Sequence, residues 1–102
     1  NGFMTISSTM QENQVVLKID GRVDTNTSPQ LQAAILDAFQ RSSHIVLDFQ
    51  KVPYISSAGL RALLIGQKTA NSKRGIMELI HVCPAVMTIL QSVGFADILT
   101  IR

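Results

Sequence analysis

Apolar positions along this chain switch between a period of two and a period near 3.6, and each switch marks an element boundary. Met4, Ile6 and Ser8 alternate with polar neighbours, and Val15, Leu17 and Ile19 alternate around Val16 and Lys18. Both runs read as strands, with Gln11-Glu12-Asn13-Gln14 as the hairpin turn between them. Gly21 ends the second strand. A loop from Arg22 to Thr27 leads to Ser28-Pro29, which reads as an N-cap followed by proline at the first helical position. Leu31, Ala34, Ile35, Ala38 and Phe39 then recur at helical spacing and predict a helix with one apolar stripe. His44 to Phe49 is nearly continuous in apolar character, the pattern of a strand covered on both faces. A second helix is expected from about Ser57 to Ser72, closed by the basic turn Lys73-Arg74 and by Gly75. Ile76 to Val82 predicts another strand. Pro84 opens a third helix with Val86, Ile89, Leu90 and Val93 on one side and Gly94 as its stop, and Ile98 to Ile101 reads either as a last short strand or as the start of a further element cut short.

This succession is an α/β pattern. The first two strands form an antiparallel pair, while the later ones need helical crossovers and should run parallel, giving one mixed sheet with helices over it. Composition fits that picture, since 46% of the 102 residues are apolar. No apolar run approaches the ~20 residues that span a bilayer, so direct membrane insertion is not expected. The single cysteine, Cys83, leaves no internal disulfide, and with no secretory signal pattern the expected location is cytoplasmic. A net charge of +2, with basic residues spread along the chain and no aromatics among them, argues against nucleic acid as a partner.

Ser56-Ser57-Ala58-Gly59-Leu60 is the segment richest in chemistry, because it places two hydroxyls where a strand has ended and a helix begins. Backbone N–H groups there lack intrahelical acceptors, and the helix dipole favours negative charge. Such a serine can be a cap, a nucleophile or a phosphate acceptor. Along the predicted helix Gly59, Ala62, Gly66 and Ala70 form a narrow small-residue stripe suited to close packing, with Leu63 beside it as core. Ser57 falls on the opposite side with Arg61, Leu64 and Lys68, a mixed apolar and basic surface suited to binding a protein. As a nucleophile Ser57 lacks an evident base, since His44 and His81 belong to other elements and no Gly-x-Ser-x-Gly elbow surrounds it. No phosphate-cradling loop or paired carboxylates appear, so no catalytic residue and no cofactor is expected. His81 and Cys83 with His44 are too few for a structural zinc, so no metal is expected; His81 reads as a strand residue and Cys83 as a small cap before Pro84. Ile55 is expected to be buried, and Tyr54 is open between core and recognition.

Four segments also match a known pattern: Gly21-Arg22-Val23-Asp24 after the second strand; Ile45-Val46-Leu47-Asp48-Phe49; Val52-Pro53-Tyr54-Ile55-Ser56-Ser57-Ala58-Gly59-Leu60-Arg61; and Cys83-Pro84-Ala85-Val86. From Gly21 to about Phe95 the chain resembles the STAS-domain family, the anti-sigma factor antagonists of bacterial partner-switching pathways. The resemblance implies one STAS domain over residues 1–102, with a mixed sheet of four to five strands covered by three to four helices. It implies a non-enzymatic regulator that binds an anti-sigma factor or related serine kinase when unphosphorylated, is released by serine phosphorylation, and is reset by a serine phosphatase. The family's phosphoserine lies two residues before the glycine of the central block, which is Ser57 here. Many members carry an acid just before it where this chain has Ser56, so Ser56 ranks second as the acceptor. The family's loop acid matches Asp24, which otherwise reads as a turn residue supporting the first helix. Asp24, Ser56, Ser57, Arg61, Leu64 and Lys68 are thus the expected partner-binding residues. A second reading has the same fold serving, without phosphorylation, as a scaffold or as an accessory subunit of a membrane transporter.

Overall fold

A computed structural model describes residues 3–102. The chain forms β1 (Thr5–Gln11), β2 (Gln14–Asp20), α1 (Ser28–Arg41), β3 (His44–Lys51), α2 (Ser57–Ser72), β4 (Ile76–Ile80), α3 (Pro84–Ser92), a 3-10 turn (Phe95–Asp97) and β5 (Thr100–Ile101). The five strands make one sheet in the order β1-β2-β3-β4-β5. β1 and β2 are antiparallel and every later pair is parallel, the mixed sheet that the pattern predicts. The hairpin turns through Glu12 and Asn13, both at positive φ (49° and 73°), which matches the strand twist as a primed turn does.

Each crossover from β2 onward steps to the next strand in the same direction. Right-handed connections then put α1, α2 and α3 on one face of the sheet. Burial agrees with this. The core joins Val15, Leu17, Ile19, Ile45, Leu47, Phe49, Met77 and Leu79 of the strands to Leu31, Ile35, Phe39, Leu63, Val86 and Leu90 of the helices. Val16 and Val46 are buried too, but outside that cluster, on the face away from the helices. β3 is thus buried on both faces, as its pattern predicts, with Ile45 to Phe49 all buried. Among the described residues Val46 is shut in by its neighbours Val16 and Glu78 on the adjoining strands, not by a second helical layer.

Several boundaries also move. The residue before α1 is Thr27, not Ser28; its hydroxyl donates to the Arg22 carbonyl (2.7 Å) and accepts from the Asp24 N–H (2.9 Å). Ser28 is drawn into the helix because its N–H bonds to the Asp24 carbonyl at 2.8 Å. β4 stops at Ile80 rather than Val82, because His81 adopts a left-handed φ of 59° that no strand can continue through. Val93 is 47% exposed rather than on the buried side of α3, because it is already the C-cap and the chain turns away at Gly94 (φ 79°).

Candidate functional site

The start of α2 is built by the loop before it. Ile55, 2% exposed, forms a parallel bridge with Val23, itself fully buried. The Ser56 N–H donates to the Val23 carbonyl (2.8 Å), and the Val23 N–H donates to the Tyr54 carbonyl (3.0 Å). These bonds lay the loop carrying Asp24 alongside the loop carrying the two serines. Gly59 is needed at this level. A Cβ there would stand 2.6 Å from Ile55 Cγ1 and 2.7 Å from Val23 Cγ1, so only glycine lets α2 come down on the bridge.

The two hydroxyls then part company. Ser56 has extended backbone (φ −95°, ψ 176°) and is the N-cap, its Oγ accepting from the Gly59 N–H at 3.4 Å. Ser57 is the first helical residue, is exposed, and its hydroxyl has no hydrogen-bond partner among the described residues. Below it on the same side of α2 come Arg61 and Lys68, both exposed, and Leu64, half-buried. The small stripe faces inward: Gly59, Ala62, Gly66 and Ala70 are all buried. α2 carries no acidic residue, so its outer face is basic.

Asp24 is half-buried and its Oδ1 accepts from the Asn26 N–H (2.9 Å) and the Thr27 N–H (3.0 Å). The Thr27 N–H, helped by the Asn26 N–H, the Thr27 hydroxyl and nearby Arg22, outweighs partial desolvation and holds the carboxyl below the usual aspartate range. One oxygen of Asp24 is thus committed to shaping the turn into α1.

Two features beside this site, a stacked pair and a groove, were not read from the sequence. Arg22 stacks over the Tyr54 ring, 4.3 Å from its centroid, so Tyr54 is half-buried under a cation rather than part of the core. A groove of about 400 Å³ runs between the N-terminal part of α1 and the start of α2, lined by Pro29, Gln32, Ala33 and Leu36 on one side and Ala58 and Arg61 on the other. Leu36 is the readable signal for it, an apolar residue outside the Leu31, Ile35, Phe39 stripe.

The histidines lie elsewhere. His81 Nδ1 is 2.9 Å from Asp48 Oδ1, and His44 Nε2 is 2.6 Å from Glu78 Oε1; neither bonds to Ser57. His81 is not a strand residue but the turn after β4. Cys83 does precede α3 without a capping side-chain bond; its thiol donates instead to the Val52 carbonyl at 3.5 Å. Among the described residues no helix is long and apolar enough to cross a membrane.

Comparison with known proteins accords with this architecture. Residues 6–100 match the family model described as "Mlab, STAS domain". An anti-sigma F factor antagonist of Paenibacillus polymyxa is 30% identical over 89 residues, covering 85% of this chain and 76% of the relative. Among solved structures, an anti-sigma factor antagonist from Mycobacterium paratuberculosis superposes with a TM-score of 0.87 at 20% identity, over 99% of this chain and 86% of that one. The phosphorylated form of the Bacillus cell fate determinant SpoIIAA superposes with a TM-score of 0.74 at 21% identity, over 96% and 91%. The chain belongs to the STAS domain family, and it is similar to curated relatives named anti-sigma factor antagonists.

Proposed function

We propose that this STAS domain is an anti-sigma factor antagonist whose partner complex is switched by phosphate on Ser57. Unphosphorylated, it binds an anti-sigma factor that is also a serine kinase, through the face formed by Ser57, Arg61, Leu64 and Lys68 with Asp24 and Ser56 at its rim. Phosphate on Ser57 abolishes that complex and a serine phosphatase restores it. The observation that carries this reading is the division of labour between the serines: Ser56 is spent as the cap, while Ser57 presents a free hydroxyl to solvent at the first position of α2.

Magnitudes say where the switch acts. Phosphate adds about −1.5 to −2 charges. At a helix N-terminus an anion is favoured by ~0.3–1 kcal/mol, so the domain stays folded. An anion desolvated against a partner, or set beside its carboxylates, costs about 2–5 kcal/mol, or roughly 30-fold and upward in affinity. The interface effect is the larger.

A pull-down with the immobilised unmodified chain, repeated with Ser57→Asp and Ser57→Ala, tests this. An anti-sigma factor should be retained by the unmodified chain and by Ser57→Ala and lost from Ser57→Asp. Incubation of that factor and ATP with the chain should add one phosphate, mapped to Ser57 by mass spectrometry. Phosphate found only on Ser56 or elsewhere removes Ser57 from the role.

A further inference from the structure

The two edges of the sheet are built differently. β5 is two residues long, a short edge of the kind that resists further pairing. β1 is seven residues long and pairs with β2 through seven consecutive positions without a bulge. Among the described residues nothing pairs with its outer side. Its sequence, TISSTMQ, contains no charge and no proline. Edge strands that stay single are shortened, bulged, or carry lysine or proline, because a row of free N–H and C=O groups templates another strand. β1 uses none of these devices.

The strand is also complementary to itself. An antiparallel pairing about a two-fold axis at Ser8 sets Ile6 opposite the second copy's Met10 on the helix side, and by symmetry does so twice. On the other face it sets Ser7 opposite Thr9 and Thr5 opposite Gln11. Met10 is 53% exposed and Ile6 only half-buried, so each gains an apolar neighbour. No charged side chain of the strand meets another. Arg41, which donates to Ser8 Oγ at 3.0 Å, already lies 3.3 Å from its own Asp37, so each copy brings a neutralised pair to the axis.

We infer that β1 is a self-association edge, joining two copies of this chain through one continuous ten-stranded sheet. A strand-edge contact is smaller than the roughly 1,600 Å² of a standard stable interface, so the dimer is weak and concentration-dependent. Ser57 lies at the start of α2, which spans β3 to β4, so both Ser57 faces stay open in the dimer. The inference is independent of whether Ser57 is phosphorylated.

Sedimentation equilibrium over a wide range of concentration tests it. The wild-type chain should pass from the mass of one chain to that of two. Ser7→Lys/Thr9→Lys and Ser7→Glu/Thr9→Glu, both at exposed sites, should each keep a native circular dichroism spectrum and melt yet remain at one-chain mass. An equimolar mixture of the two should recover a dimer at least tenfold tighter than either alone, because the pairing sets lysine opposite glutamate at every substituted position. A wild-type chain that stays at one-chain mass throughout overturns the inference. So do like-charged variants that dimerise as the wild type does, or a mixture that fails to associate.

Discussion

Ser56 and Ser57 are the same residue type side by side, yet one φ/ψ step separates a structural role from an exposed one. The cap belongs to whichever residue is extended while the next is helical, and here that is Ser56. Ser56→Ala should therefore lower stability by about 1 kcal/mol in urea denaturation, whereas Ser57→Ala should change it by less than about 0.5 kcal/mol. Asp48 is the second residue with a defined cost. Burial alone would raise its carboxyl pKa, but the His81 ring, the Gln50 N–H and nearby Lys18 overcome that and hold it below the usual value. A carboxyl depressed on folding stabilises the native state above its unfolded value of about 3.9, and that contribution disappears as pH falls through the folded value. Wild type should thus lose its advantage over Asp48→Asn as urea midpoints are compared from pH 6 down to pH 3. A constant difference across that range would mean that the carboxylate's charge is not what stabilises.

At the level of elements, the small-residue stripe of α2 was legible because helical geometry alone brings Gly59, Ala62, Gly66 and Ala70 into line. Its partners were not, since they come from other parts of the chain. Gly66 meets Met77 Sδ, where a Cβ would stand at 2.7 Å, and Ile35 Cγ2 at 3.0 Å. Gly59→Ala should destabilise by about 1–3 kcal/mol through overpacking on Ile55 and Val23, despite alanine's better helix propensity. The end of α2 makes the same distinction. Gly75 reads in the sequence as the glycine that closes the helix after its basic last turn, the place where a positive φ is commonest. In the structure Arg74 takes that conformation (φ 54°), and the Gly75 N–H closes the turn on the Ala70 carbonyl at 2.8 Å. Gly75 is required because a Cβ would lie 2.2 Å from the Ser43 carbonyl oxygen where the chain enters β4. Thermal melts should accordingly show Gly75→Ala as destabilising and Arg74→Gly as neutral to stabilising, by about 1 kcal/mol at most.

For the whole molecule, stability is graded across the sheet. β3 lies between two parallel neighbours with Ile45 to Phe49 buried, while every β1 side chain is exposed except half-buried Ile6. Amide exchange should be slowest in β3 and fastest, among the four longer strands, in β1, and β1 protection should rise with protein concentration if it pairs with itself. Ser57→Asp should leave this profile unchanged, separating a switch at the interface from one that works by unfolding. The order of elements, the antiparallel first pair and the outward set Ser57, Arg61, Leu64 and Lys68 were determined by the sequence itself, because period, turn chemistry and caps act within a few residues. Which serine caps, how Asp24 is tied beside them, the groove that α1 shares with α2 and the gathering of all three helices on one face of the sheet were decided only by tertiary structure. Each depends on segments distant in the chain, brought together by the bridge between Val23 and Ile55 and by crossovers that all turn the same way. No local pattern records such a meeting.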